Sequence, residues 1–223
     1  MKIIEDALAR KQKALSEYES KQVLASYGIP VTREALASTP EEAIKIAKEF
    51  GFPIVLKGCS PDLTHKTEMN VIHLNLKNEE EVVRAFQTLS ANPAIAKGNI
   101  LVQEMIRGQR ELVIGMNRDP QFGPCVMFGL GGIFTEILRD VSFRVAPLEK
   151  RDALEMMDEI KAKKILDPFR GSPAVNREVL AKALIAVGQI GLDCDAVKEI
   201  DINPVIISND KPVAVDALIV LNN

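Results

Sequence analysis

Towards its C-terminal end the chain reads "VKEIDINPV", which spaces Glu199, Asp201 and Asn203 two residues apart. In a β-strand that spacing puts all three on one face, while Ile200 and Ile202 point to the other. Further on, "VAVDALIV" sets Asp216 in an otherwise apolar strand, where a lone acid is costly unless something satisfies it. Two carboxylates and an amide oxygen on neighbouring strands suit a hard cation such as Mg²⁺. That ion takes few protein oxygens and completes its shell with phosphate and water. The competing reading is a solvated strand face with one hydrogen-bonded aspartate.

A second group of reactive residues lies earlier, in "FPIVLKGCSPDLTHKTEMNVIHLNL". Lys57 ends a short buried strand, and His65 and Lys66 follow in a polar loop. A lysine there can meet a phosphate as a point charge, or lie at the surface with its stem packed. His65 can serve as a nucleophile, or be an ordinary loop histidine. His73, the other histidine of the chain, reads as a strand residue without a role. In "FGLGGIFTEI", Gly129, Gly131 and Gly132 sit between apolar strands. Amides freed by glycine can cradle phosphate, although the spacing is not the dinucleotide fingerprint and no helix follows. A tight turn with close backbone packing is the equal alternative. Glu104 and Glu111 fall at neighbouring strand positions, and each alone reads as a solvated edge charge.

The elements that must position these residues are a mixture of α and β. Residues 2–27 carry good helix formers and end at Gly28, so they predict one helix. A strand over 31–37 leads to the helix "STPEEAIKIAKEFG", which Ser38 or Thr39 can cap and Gly51 can stop. Strands "FPIVLKG" and 71–77 precede a helix opened by Asn78. Strands are expected at 99–106, 110–119, 123–130, 132–138 and 141–148, with a hairpin loop at "NRDPQFGP". Helices at about 149–163 and 176–190 follow, and three strands close the chain. Strands in runs rather than in strict alternation with helices predict an α+β fold. The expected lobes are residues 1–98 and 99–223.

Composition narrows the function classes. The chain has 223 residues, 47% hydrophobic and 26% charged, and a net charge of −3. That is ordinary for a soluble globular protein and argues against a general nucleic-acid binder. No apolar run reaches a membrane span, and "MKIIEDALARKQKALSEYESKQVL" has no signal-peptide core. Three scattered cysteines without a CxxC predict reduced thiols in a cytoplasmic protein.

Taken in order, these phrases resemble the ATP-grasp superfamily. More closely, they resemble the nucleotide-binding beta subunit of the ADP-forming acetyl-CoA synthetases, relatives of the succinyl-CoA synthetase beta chain. The carrying phrases are "YGIPV", "FPIVLKGCSPDLTHKTE", "FRGSP", "EIDINPVII" and the long run from "ILVQEMIRGQREL" through "FGLGGIFTEILRDVSFRVAPL". The resemblance implies two α+β lobes enclosing ATP or ADP with Mg²⁺. It gives Lys57 to the phosphates, Glu104 with the Met105–Ile106 backbone to adenine, and Glu111 to the ribose or metal side. Asn203 and Asp216, with Asp201 close by, become the Mg²⁺ ligands. His65 becomes the phosphate carrier, and Gly131, Gly132 and Glu136 face that exchange.

The reaction implied is acyl-CoA + ADP + phosphate ⇌ acid + CoA + ATP, an acid–thiol ligase working through phosphohistidine. Small acid and CoA would be bound by an alpha subunit or fused domain carrying the phosphohistidine, with no nucleic acid or membrane involved. One departure stands out: where the family reads apolar–Gly–Gly after "HKTE", this chain has Met69, Asn70 and Val71. A non-catalytic nucleotide-binding or assembly subunit, and a stand-alone ATP-grasp ligase, remain the alternatives.

Overall fold

The structure, a computed structural model, describes residues 1–61, 71–95, 98–132, 140–168 and 171–222. It divides into two compact units. One comprises Leu15–Glu19 and Thr32–Met105; the other comprises Met1–Ala14, Ser20–Val31 and Ile106–Asn223. This differs from the expected lobes: the main boundary falls after residue 105 rather than 98, and most of the N-terminal segment belongs with the C-terminal half.

The single helix expected over 2–27 is two helices, α1 (Lys2–Ala9) and α2 (Glu17–Ser26). After α1, Lys11 takes a left-handed φ of 56°. The chain then borders the strand Leu218–Leu221: Ala14 bridges Val220, and Leu221 N donates to Lys13 O at 2.8 Å. An exposed strand edge gains partners there, which outweighs the helix propensity of residues 10–16. A new helix then starts on a reciprocal cap. Ser16 N donates to Glu19 Oε2 at 2.9 Å, and Glu19 N donates to Ser16 Oγ at 3.3 Å.

The unit containing residues 32–105 holds β1 (Glu34–Ala37), α3 (Pro40–Phe50), β2 (Ile54–Cys59), β3 (Ile72–Leu76), α4 (Glu79–Ser90) and β4 (Asn99–Glu104). The helices begin at the predicted caps: Thr39 Oγ1 accepts from Glu42 N, and Asn78 Oδ1 from Glu81 N. The strands form an antiparallel sheet in the order β1-β4-β2-β3. Because β4 pairs with both β1 and β2, it belongs to this unit and cannot open the next one. The core joins Ile54, Leu56, Val71, Phe86, Leu89 and Val102. Val71 is fully buried there, and its carbonyl accepts from Gly58 N at 2.8 Å. Position 71, where the resemblance led to an expectation of glycine, is thus a core position in this chain.

The other unit adds β5 (Glu111–Asp119), β6 (Gly123–Leu130), β7 (Val141–Val145), α5 (Lys150–Glu159), α6 (Arg177–Asp193), β8 (Val197–Ser208), β9 (Lys211–Ala214) and β10 (Leu218–Leu221). Its sheet runs β10-β8-β5-β6-β7, with β9 also on β8, and every ladder is antiparallel. The β5–β6 hairpin forms as expected, with Asp119 Oδ1 accepting from the amides of Gln121 and Phe122. Most of the strand expected at 132–138 lies outside the described residues. Antiparallel sheets backed by helices bear out the α+β class. Among the described residues no helix is long and apolar enough to cross a membrane.

Val71→Gly should therefore destabilise the chain by roughly 2–4 kcal/mol, combining a core cavity with a flexible backbone. Urea titration of the two proteins checks this.

Candidate functional site

In the 32–105 unit, every residue of β2 is buried, and Lys57 lies inside the strand rather than at its end. Its register partners are Leu101 on β4 and Ile72 on β3. Lys57 is 3% exposed, and its Nζ donates to Glu17 Oε1 at 2.7 Å. Glu17 is itself 2% exposed, in the first turn of α2. Sequence reasoning missed Glu17 because it lies 40 residues away. The one available signal was the acid following Ser16 in the capping signature. Two charges taken out of water depend on each other, and removing one strands the other.

Glu104 ends β4 and is committed to Arg33. Oε1 accepts from Arg33 N at 2.7 Å and Oε2 from Arg33 Nε at 2.9 Å. Arg33 also donates to Phe50 O at 3.0 Å, and its guanidinium carbon lies 5.3 Å from the centre of the Phe50 ring. Both carboxylate oxygens of Glu104 are thus used locally. Beyond it, Met105 and Ile106 leave the strand half-buried.

In the other unit, β8 alternates as predicted: Ile200 and Ile202 are buried, while Glu199, Asp201 and Asn203 are half-buried on the opposite face. Asp216 is not within a strand but in the break between β9 and β10. The flanking ladders pair Val205 with Ala214 and Asp201 with Leu218. Continuing that register across the break sets Asp216 opposite Asn203. Burial, then the charge of Asp216, then that of Glu199, pushes the Asp201 carboxyl up to about 6. Burial and the surrounding negative charge both favour the protonated form of Asp201, and a divalent cation there would favour the ionised form.

Among the described residues no group of three or more His, Cys, Asp and Glu side chains encloses a metal by itself. That donor set still fits Mg²⁺ shared with a nucleotide, because few protein oxygens then suffice. The residues that would hold it are Asp201, Asn203 and Asp216.

The glycine turn meets this strand directly. Gly132 N donates to Asn203 Oδ1 at 3.0 Å, and Gly131 N donates to Glu111 O at 2.9 Å. Both amides expected to cradle phosphate are therefore engaged within the chain. A Cβ at Gly131 would lie 2.5–2.8 Å from the Leu112 backbone, and one at Gly132, whose φ is 63°, would strike the exposed Glu111 carboxylate. Backbone contact at Gly131 and the left-handed φ at Gly132 each favour glycine there. Their turn fixes the Asn203 amide, whose oxygen keeps a second lone pair. The fold thus brings Glu111, Gly131, Gly132 and Asn203 together in one unit, with Asp201 and Asp216 alongside. Lys57 and Glu104 share the other sheet. His65, Lys66 and Glu136 lie outside the described residues.

Glu17→Gln should cost roughly 3–5 kcal/mol by leaving Lys57 buried and unbalanced, and adding Lys57→Met should recover part of that loss. Denaturant titration of the single and double variants measures both. Asp201 predicts a pH dependence of known sign. Its carboxyl ionises near 4 in an unfolded chain and near 6 in the fold. Stability is lost as pH rises between those values, and the loss is complete above 6. In metal-free buffer, Asp201→Asn should therefore raise stability at pH 7.5 by roughly 1–2 kcal/mol and change little near pH 4. Thermal melts at the two pH values check this.

Residues 6–221 match the ATP-grasp domain family. The chain is 47% identical to the beta subunit of acetate–CoA ligase [ADP-forming] I from Pyrococcus furiosus, over 98% of this chain and 96% of that one. A solved complex of Ca. Korarchaeum cryptofilum dinucleotide forming acetyl-coenzyme A synthetase 1 with coenzyme A, Ca-AMPCP and HgCl⁺ superposes with a TM-score of 0.94 at 45% identity, over 99% of each chain. A second complex of that synthetase holds coenzyme A and Mg-AMPPCP, with the phosphohistidine segment pointing towards the nucleotide binding site. It superposes with a TM-score of 0.88 at 46% identity, again over 99% of each chain. With a family match over residues 6–221, the chain belongs to the ATP-grasp domain family.

Proposed function

We propose that this chain is the nucleotide-binding subunit of an ADP-forming acyl-CoA synthetase, acting on acetate or a similarly small acid. The observation that carries the reading is the acid cluster of Asp201 and Asp216 around Asn203, in a chain that matches a beta subunit of such a ligase along nearly its whole length. The proposed reaction is acyl-CoA + ADP + phosphate ⇌ acid + CoA + ATP. Phosphoryl transfer asks a protein mainly for alignment and charge neutralisation.

Lys57 supplies a fixed positive charge. Glu17 holds its ammonium in place at 2.7 Å. Glu104, locked by Arg33, sets the path of the Met105 and Ile106 backbone, which reads the adenine edge. Glu111 braces the Gly131–Gly132 turn and stands at the ribose or metal side. Asp201, Asn203 and Asp216 hold Mg²⁺, which when bound neutralises the nucleotide phosphates. His65 is the assigned phosphoryl carrier and Glu136 is assigned to the same exchange, because a neutral imidazole is a competent nucleophile and its phosphorylated form a competent donor.

The acid and CoA sites are assigned to an alpha subunit or fused domain bearing its own phosphohistidine chemistry. Three free cysteines support a reducing, cytoplasmic setting. The proposed lobes follow the two compact units rather than a division at residue 98.

Two measurements test the reading. Asp216→Asn should weaken Mg·ADP binding about tenfold or more, equivalent to about 1.4 kcal/mol, by calorimetric titration. With its CoA-binding partner the chain should form ATP from acetyl-CoA, ADP and phosphate, while the chain alone should bind Mg·ADP without turnover. Robust ATP formation by the purified chain alone would instead support a stand-alone ligase.

A further inference from the structure

α2 carries a buried lysine that none of the roles above uses. Lys21 is 1% exposed and ranks among the largest fully buried side chains. Its Nζ donates to Val215 O at 3.0 Å. The preceding residue, Ser20, is fully buried, and its Oγ accepts from Ile219 N at 3.2 Å. These two bonds bracket Asp216, one residue before it and three after. Between them lies the break where β9 has ended and β10 has not begun. Within this break Val215 N donates to Pro204 O at 3.1 Å, and the β8–β10 ladder resumes at Leu218. The two bonds thus fix the chain on both sides of Asp216 from one helix.

We propose that Lys21, assisted by Ser20, is a positioning residue for the metal site: it pins the 215–217 break so that Asp216 stands opposite Asn203 before any nucleotide arrives. This rests on the reading of Asp216 as a Mg²⁺ ligand. Residues that orient a metal's ligands control affinity through geometry, and their loss typically costs about 10–100-fold.

The test uses the full chain and calorimetric titration of ADP, once with saturating Mg²⁺ and once in EDTA, alongside thermal melts without ligand. Lys21→Met, which keeps the aliphatic stem, should weaken ADP binding about tenfold or more with Mg²⁺ and change it less than about twofold in EDTA. In an Asp216→Asn background, Lys21→Met should produce no further Mg²⁺-specific loss, although it still lowers the melting temperature. Ser20→Ala removes one bond without stranding a charge. Should Lys21→Met fail to fold, Ser20→Ala should still show a smaller Mg²⁺-specific loss.

A lowered melting temperature with unchanged Mg²⁺ dependence in both variants would overturn the proposal and leave Lys21 a structural staple. So would equal losses with and without Mg²⁺, or an undiminished Lys21→Met loss in the Asp216→Asn background. If Asp216→Asn itself left Mg²⁺-dependent affinity intact, the metal reading would fall and this proposal with it. A loss in Asp216→Asn alone would overturn only the role of Lys21.

Discussion

Asp201 sits half-buried within reach of the charges on Asp216 and Glu199, and its carboxyl is held near pH 6 as a result. A fold keeps a carboxyl so buried and so surrounded by like charge only if neighbouring structure holds it there. Here the restraint comes from β8, the strand that pairs with β5, β9 and β10. Its buried side, Ile200 and Ile202, fixes the register, so its other side must present Glu199, Asp201 and Asn203. The Gly132 amide then holds the Asn203 side chain, and the β9–β10 break holds Asp216 opposite it. Hydrophobic burial on one face thus finances electrostatic strain on the other.

The second unit-scale constraint is of opposite sign. Lys57 and Glu17 form a nearly inaccessible ion pair, so a positive charge is stored in the middle of β2 rather than at a flexible end. Fixed in this way, the ammonium cannot relax towards water, which makes it a preorganised charge rather than a mobile one. The Arg33–Glu104 pair plays a different part: it is largely exposed on the arginine side, contributes little by Coulomb attraction, and matters for the backbone path it sets.

Local physics was legible in the sequence and distant pairing was not. Thr39 and Asn78 cap their helices because short polar side chains before an acidic first turn do so in almost any context. The alternation in β8 was readable for the same reason. The break between α1 and α2 was missed although Ser16 and Glu19 announce it, because good helix formers on both sides masked a four-residue cap. Asp216 was expected inside a strand, and its apolar neighbours concealed the gap. Glu17, Arg33 and Lys21 act across long sequence separations, where only the fold brings partners together. For the glycines of "FGLGG", composition marks freed amides but does not tell which acceptors take them; within the chain, Asn203 Oδ1 and Glu111 O do. Val71 shows the reverse case, where a residue read as a departure from a resemblance is a core residue.

The central claim is that the acids of β8 and the β9–β10 break form a divalent-cation site shared with a nucleotide. Crystals of the full chain grown with ADP and Mn²⁺, measured at the manganese absorption edge, address it most directly. The account predicts one anomalous peak bonded to Asp216 and Asn203 or Asp201, with phosphate oxygens completing its shell. A nucleotide bound with no anomalous density at these residues, or with manganese bonded elsewhere on the chain, would contradict it.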